Sequence, residues 1–142
     1  MKHDHYADEY LARILKNTKT IGLIGASAKP ERPSYGVMGF LLRHGYQVFP
    51  VNPGLAGQSI YGQLVYGNLS DVPQPIDMVD IFRNSSALPS LFEEIIALPI
   101  RPKYIWTQLG VIDLSAAAQA EQVGIEVVMN RCPAIEIPRL SL

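Results

Sequence analysis

The hydrophobic pattern of the chain alternates between short continuous apolar runs and longer stretches in which apolar residues recur every three or four positions. Continuous runs of this length are typical of strands that are buried on both faces. We therefore predict five strands, over residues 20–25, 46–53, 77–82, 103–108 and 125–129.

The amphipathic stretches between these runs predict helices. Ser34 is the predicted N-terminal cap of the second helix, and Ser85 and Ser86 are the predicted caps of the third. Gly45 and Gly124 are expected to end the second and fourth helices. The first and fourth helices are predicted over residues 4–16 and 113–123, and the second from Ser34 to Gly45. The third is predicted behind the Ser85/Ser86 cap, with an apolar stripe at Leu88, Leu91, Phe92, Ile95 and Ile96.

Strands that alternate with helices at this spacing form right-handed βαβ units. The predicted class is therefore α/β: a Rossmann-like, three-layer domain with a mainly parallel sheet of five or slightly more strands and helices on both faces. Residues 54–75 are rich in glycine, proline, asparagine and serine, and are expected to contain only a short strand or turn near Ile60 and Tyr61. We predict one domain, composed of an N-terminal arm and helix (1–18), an α/β core (19–130) and an ordered tail (131–142).

Composition narrows the class of protein. The 142 residues are 48% hydrophobic and 18% charged, with a formal net charge of −1. These values are typical of a globular protein and give no electrostatic footprint for nucleic acid or an acidic membrane surface. No apolar run approaches the ~18 residues of a membrane span, and the charged N-terminus lacks a signal-peptide core, so we expect a cytoplasmic protein. The single cysteine excludes an internal disulfide framework and a cysteine-based zinc site.

The loop after the first predicted strand has the composition of an anion-binding turn. In sheets of this class, ligands bind beyond the carboxyl ends of the strands. Gly25 and Ala26 would let backbone N–H groups approach a phosphate, and the following helix would add the positive end of its dipole. Small residues also occur at any tight strand-to-helix turn, so this loop alone favours neither anion binding nor plain turn chemistry. Hydroxyls and positive charge are available from Ser27, Ser34, Lys29 and Arg32.

The two common nucleotide fingerprints are absent. A dinucleotide site combines G-x-G-x-x-G with an acidic residue near the end of the second strand, which binds the ribose hydroxyls. Here Gly22 and Gly25 are separated by two residues, and the second strand ends at Asn52 without a carboxylate. The P-loop pattern G-x-x-x-x-G-K-S/T is also missing, which argues against ATP or GTP hydrolysis.

Five motifs together resemble a known family. They read GASAKPERPSYGV, GYQVFPVNP, VDIFR, WTQLGV and NRCPAIE, and they span nearly all of the chain after residue 18. In this order they resemble the small bacterial CoA-binding proteins, whose single domain is similar to the CoA-binding N-terminal domain of the succinyl-CoA synthetase α subunit. The resemblance implies a Rossmann-like fold that holds coenzyme A or an acyl-CoA at the carboxyl ends of its strands.

The resemblance also implies a set of ligand-binding residues, distributed over the ends of the first four strands. CoA carries a 3′-phosphate, so basic or neutral groups should replace the ribose-binding carboxylate of NAD sites. The phosphate region would be lined by Gly25, Ala26, Ser27, Lys29, Arg32, Ser34 and Tyr35. Asn52 and Pro53 would flank the nucleotide, Phe82 and Arg83 would approach the adenine and ribose, and Gln108 and Gly110 would face the pantetheine arm.

No catalytic group or metal site follows from the sequence. The carboxylates Asp77, Asp80, Asp113 and Glu136 form no evident general acid/base pair, and the synthetase reaction needs a phosphorylated histidine on a second domain. We therefore expect a CoA binder that acts without catalysis, alone, as a homodimer or through an unknown protein partner. The alternatives are an NAD(P)-linked or CoA-dependent enzyme with unidentified catalytic residues, and an adaptor with a vestigial pocket.

Four side chains outside these ligand-binding roles carry separate predictions. Cys132 follows the fifth strand beside Arg131, which would favour its thiolate; it is either a half-buried structural cysteine or a partner for a mixed disulfide with the CoA thiol. Trp106 is predicted to lie in the core rather than to form a stacking platform. His3 and His5 are predicted to be disordered surface residues of the N-terminal arm.

Overall fold

A five-stranded parallel sheet forms the centre of the computed structural model, which describes residues 1–142. The strands of the chain are β1 (Thr20–Ile24), β2 (Gln47–Val51), β3 (Ser59–Ile60), β4 (Gln63–Leu64), β5 (Met78–Ile81), β6 (Tyr104–Thr107) and β7 (Glu126–Val128). The main sheet has the order β2-β1-β5-β6-β7, and all its neighbours are parallel, while β3 and β4 form a separate antiparallel hairpin. The five predicted strands and the Rossmann-like class are confirmed.

The helices cover both faces of this sheet. They are α1 (Asp8–Asn17), α2 (Pro33–Arg43), α3 (Leu88–Ile96), α4 (Leu114–Gln122) and α5 (Pro133–Arg139). The core on one face joins α1, α2 and α5 to the sheet, and the core on the other face joins α3 and α4 to it. None of these helices combines the length and apolar character that a membrane span requires.

The two cores explain why the strands are continuous apolar runs. Alternate residues of a strand point to opposite faces, so Met78 contributes to the core under α2 and Val79 to the core under α3. Trp106 is fully buried in the first core and its indole N–H donates to the carbonyl oxygen of Arg131 at 2.9 Å, as predicted for a core residue. Asp80 breaks the pattern, because its carboxyl group is fully buried in the central strand β5.

Two predicted helix caps are wrong. Ser34 is a buried residue inside α2, which begins at Pro33 with Arg32 before it; proline is favoured at a first helical position because its missing N–H is not needed there. Ser85 lies in a short 3₁₀ turn, and α3 begins at Leu88 without a side-chain cap. The Ser85 hydroxyl instead accepts a hydrogen bond from the Ile112 N–H at 2.9 Å, linking the loops after β5 and β6.

The N-terminal arm also differs from the prediction. The helix predicted from residue 4 begins at Asp8, and in the non-helical segment before it His3 and Tyr6 make tertiary contacts. The side chain of His3 is only 3% exposed and lies 2.9 Å from a Glu121 carboxylate oxygen and 2.6 Å from the Tyr6 hydroxyl. That hydroxyl accepts the Met129 N–H at 2.8 Å. His3 is therefore an anchor of the arm rather than a disordered surface residue, whereas His5 is exposed.

Candidate functional site

The loop after β1 lies at the point where the strand order reverses. The chain runs from β1 outward to β2, and then crosses to β5 on the other side of β1. In open parallel sheets the carboxyl ends of the strands leave a crevice at such a switch point, and ligands bind there. The loop over residues 25–34 opens into this crevice between the ends of β1 and β5.

Gly25 makes the close packing of this crevice possible. It has a φ of +86°, and a Cβ at this position would overlap the backbone carbonyl of Phe82, which follows β5. Its N–H and that of Ala26 donate to the Val51 carbonyl at 3.0 and 3.3 Å. The turn is thus fixed between the ends of β2 and β5, with little side-chain bulk over its backbone.

The side chain of Asn52 holds two loops together. Its amide nitrogen donates to the Ala26 carbonyl at 2.8 Å, and its amide oxygen accepts the Gly54 N–H at 2.8 Å. Both polar ends of the side chain are therefore used within the protein. Asn52 shapes the crevice by positioning the loops after β1 and β2.

The crevice opens on the α2 side into a cleft of about 820 Å³, which we call the phosphate cleft. Its lining includes the loop from Gly25 to Ser34 except Pro30 and Glu31, together with residues that follow β2, β5 and β6. Three cations, Lys29, Arg32 and Arg83, line it, and no aspartate or glutamate does. The N-terminus of α2, which has no acidic residue in its first turn, adds the positive end of the helix dipole. In a chain of net charge −1, this cleft concentrates positive potential.

A second cleft of about 660 Å³ adjoins the first, on the α3 side of the sheet; we call it the apolar groove. Its walls are the segment 67–70 and the face of α3 with the turn that follows; Leu69, Leu91, Ile95 and Leu98 give it apolar surface, and Glu94 is the one carboxylate in the lining. The two clefts share Gly25, Asn52 and Arg83, so they meet at the switch point. Together they could hold an extended ligand with an anionic centre and an apolar, planar end.

The structure brings most of the sequence-derived ligand residues together and leaves two apart. Tyr35 lines neither cleft: its ring stacks on Tyr61 with a centroid distance of 4.5 Å. Gly110 also lies outside both, and its N–H donates to the Asn130 side chain at 2.7 Å. The residues that line the phosphate cleft are Gly25, Ala26, Ser27, Lys29, Arg32, Ser34, Asn52, Phe82, Arg83 and Gln108, and Pro53 lines the apolar groove.

Gln108 carries an unused hydrogen-bond acceptor in the phosphate cleft. The residue is 7% exposed, and its amide oxygen has no hydrogen-bond partner. A buried acceptor without a partner costs free energy, and a ligand N–H would remove that cost.

Asp80 likewise has both carboxylate oxygens buried without a partner. Burial raises its pKa well above the ordinary aspartate value, because the charged form loses its hydration.

The apolar groove could not be predicted from the sequence. The walls of the apolar groove come from segments that the sequence presents only as turn-forming or helical, and nothing in their local pattern indicates that they face each other. Cys132 is buried and lines neither cleft, which agrees with a structural cysteine; the mixed disulfide with CoA remains an untested hypothesis.

Comparison with known proteins gives relatives of similar size and a longer one. Protein YneT of Bacillus subtilis strain 168 is 31% identical over 122 residues, which cover 86% of this chain and 87% of that protein. The structure of a protein from Pyrococcus horikoshii OT3 superposes with a TM-score of 0.89 at 34% identity and covers all of both chains. The α subunit of ADP-forming acetate–CoA ligase I of Pyrococcus furiosus is 34% identical over 84 residues, which cover 56% of this chain and 18% of that subunit.

The family model described as a CoA binding domain matches residues 19–138, which include every strand and the whole crevice. This match covers far more than half of the chain, and it agrees with the parallel sheet and the reversal of strand order. The chain therefore belongs to the CoA binding domain family.

Proposed function

We propose that this protein binds coenzyme A or an acyl-CoA in the crevice at the carboxyl ends of its strands, and that it does so without transforming the ligand. One observation carries the proposal: the phosphate cleft at the switch point is lined by three cations and no carboxylate. CoA has three phosphate groups, and an anion of this charge is best held by cations, backbone N–H groups and a helix N-terminus. Membership of the CoA binding domain family supports the same ligand.

The proposed arrangement follows the shape of the two clefts. The diphosphate lies against the loop from Gly25 to Lys29, beside the N-terminus of α2 and the side chains of Lys29 and Arg32. These groups hold it, because the N–H groups of Gly25 and Ala26 are already donated to the Val51 carbonyl. The adenine enters the apolar groove, whose walls suit a flat apolar ring. The ribose joins these two parts, so its 3′-phosphate lies near Arg83, the one cation that lines both clefts.

The pantetheine arm then runs along the phosphate cleft toward the end of β6. Its amide N–H groups match the unpartnered amide oxygen of Gln108. The arm itself carries no charge, so the neutral lining at this end of the cleft, Gln108, Leu109 and Val111, fits it.

Thermal denaturation with a panel of ligands tests the proposal: CoA, acetyl-CoA, NADH, NADPH and ATP. A ligand at a hundredfold excess over its Kd stabilises the folded state by about 2.7 kcal/mol, so CoA and acetyl-CoA should raise the Tm clearly. A rise with NADH or NADPH alone would favour the oxidoreductase alternative. If no ligand raised the Tm, the result would favour the alternative that the protein is an adaptor whose pocket is vestigial.

A charge variant with a matched control shows where the ligand binds. Lys29→Gln combined with Arg32→Gln removes two cations of the phosphate cleft and should abolish most of the Tm rise with CoA. Lys16→Gln combined with Lys19→Gln removes two exposed cations near the amino ends of the strands and should leave the rise intact. Equal losses in both double variants would mean that CoA responds only to overall charge, which contradicts the proposed site.

A further inference from the structure

The loop between β6 and α4 presents three large apolar side chains to solvent. Leu109, Ile112 and Leu114 are 58%, 44% and 63% exposed. They fall within six residues at the carboxyl edge of the sheet, and we call them the 109–114 patch. Clustered exposed apolar side chains mark ligand or partner surfaces more often than scattered single ones do.

The exposure of the patch is built into the fold, because the loop that carries it is firmly held. The Thr107 hydroxyl donates to the Val111 carbonyl at 2.6 Å, and the Ile112 N–H donates to the Ser85 hydroxyl at 2.9 Å. Asp113 caps α4 by accepting the Ala116 N–H at 2.9 Å. These bonds fix the loop backbone and with it the outward direction of the three side chains.

The patch begins at the phosphate cleft. Leu109 lines that cleft directly after Gln108, the residue proposed to meet the pantetheine amides, and Val111 lines it as well. Ile112 and Leu114 follow Val111 in the chain and line a separate cavity of about 910 Å³, whose other wall is the N-terminal arm. A ligand that leaves the phosphate cleft at Leu109 would meet the rest of the 109–114 patch next.

We infer that the 109–114 patch receives the acyl chain of a bound CoA thioester, and that the preferred ligands are acyl-CoAs with an apolar chain of medium length rather than free CoA. The inference rests on the proposed function, since it extends the same ligand beyond its thiol. When an apolar acyl chain lies over the patch, the methylene groups of the chain and the apolar side chains of the patch are removed from water. The free energy gained is proportional to the apolar area covered.

The size of the patch favours an acyl chain over a protein partner. A stable protein–protein interface takes about 20 to 30 residues from each partner, whereas the patch has three apolar side chains. Charged side chains line the cavity beyond it, among them Lys2, Asp4, Glu121 and Arg131. A narrow apolar strip between a ligand cleft and charged groups suits a single hydrocarbon chain.

Isothermal titration calorimetry with CoA and octanoyl-CoA tests the inference. Octanoyl-CoA should bind the wild type at least tenfold more tightly than CoA, since burial of about two methylene groups already supplies that factor. The double variant Leu109→Gln, Leu114→Gln should bring the ratio of the two Kd values close to one. Val123→Gln, at a 38% exposed apolar position after α4 that lines neither cleft, is the control and should keep the wild-type ratio.

Several outcomes would overturn the inference. Equal Kd values for CoA and octanoyl-CoA in the wild type would show that the patch contributes nothing to ligand binding. An unchanged ratio in the Leu109→Gln, Leu114→Gln variant would place the acyl chain elsewhere. A dimer that this variant converts to monomer in sedimentation, with the ratio unchanged, would assign the patch to a protein interface. Absence of CoA binding itself would instead reject the proposed function, and the CoA titration alone reveals that case.

Discussion

At the scale of single residues, Asp80 is the most unusual position of the core, because it places a carboxyl group among buried apolar side chains. A carboxyl group without a hydrogen-bond partner in a central strand costs stability, and the cost is far larger when it is charged than when it is protonated. Burial raises its pKa well above the ordinary value. The folded protein therefore retains a proton on Asp80 at pH values where the unfolded chain has lost it.

This proton makes folding stability depend on pH. The unfolded Asp80 titrates near the ordinary value of about 3.9. As the pH rises from there toward the raised pKa of the folded state, the wild type should lose up to about 1.4 kcal/mol per pH unit relative to Asp80→Asn, which carries no proton to lose. Urea unfolding of both proteins from pH 4 to pH 8 measures this difference.

The control is Asp4→Asn, which changes an exposed aspartate. Its difference from the wild type should stay flat over the same pH range. A pH-independent difference between the wild type and Asp80→Asn would contradict a raised pKa at Asp80.

Arg83 and Arg32 should contribute differently to ligand recognition. Arg83 lines both clefts and Arg32 only the phosphate cleft. Arg83→Ala should therefore reduce the preference for CoA over 3′-dephospho-CoA by about tenfold, the scale of one charge-assisted hydrogen bond. Arg32→Ala should weaken the binding of both ligands equally. Calorimetric Kd values of the wild type and the two variants, each with both ligands, measure this. If Arg32→Ala instead weakened the binding of CoA more than that of 3′-dephospho-CoA, the 3′-phosphate would lie at the α2 end of the cleft.

At the scale of elements, the turn after β1 depends on one backbone conformation. Gly25→Ala forces a side chain into a positive φ and onto the Phe82 carbonyl. It should destabilise the fold by more than about 1 kcal/mol and abolish CoA binding. Urea unfolding and calorimetry give the two readouts.

Gly36→Ala is the matched control for this turn. Gly36 lies in α2, where an added Cβ meets nothing within 4 Å, so the variant should gain about 0.5 to 1 kcal/mol and keep CoA affinity. Wild-type stability and binding in Gly25→Ala would show that the turn tolerates a side chain and does not define the site.

The elements that sequence reasoning predicted well are those whose own residues decide their structure. Leu88–Ile96 has a helical stripe long enough to specify α3, and the helix has these bounds. The tail helix α5 was not predicted, because seven residues with prolines at both 133 and 138 have no clear period. It forms because Ile137 is buried against the rest of the core. The cap predicted at Ser85 was wrong because its hydroxyl accepts a hydrogen bond from a residue 27 positions away instead of from a helix N–H group.

At the scale of the whole molecule, the fold class could be predicted from the alternation of strands and helices in the sequence. The candidate site could be predicted from the sequence only in part. The residues of the loop after β1 could be named because GASAKPERPSYGV matches a family motif, whereas the local pattern alone left anion binding and plain turn chemistry equally open. The apolar groove has no such motif: its walls are brought together by the crossover from β2 to β5 and by α3. The unpartnered oxygens of Gln108 and Asp80 are also consequences of tertiary packing.

CoA is proposed to bind in the phosphate cleft, and this cleft is not the only basic cavity of the molecule. Another cavity, of about 780 Å³ at the amino ends of β1 and β2, is also lined by basic groups, including Lys16, Lys19 and His44. It provides an internal comparison, because a CoA anion attracted only by positive charge could bind there as well as in the phosphate cleft.

A titration of ¹⁵N-labelled protein with CoA, followed by amide chemical shifts, tests this claim most directly. We expect CoA to cause saturable shifts that are largest for the amides of residues 25–34, 52–54, 82–84 and 108–111, with little change near Lys19 and His44. No saturable shift, or shifts centred on the amino-end cavity, would contradict the claim.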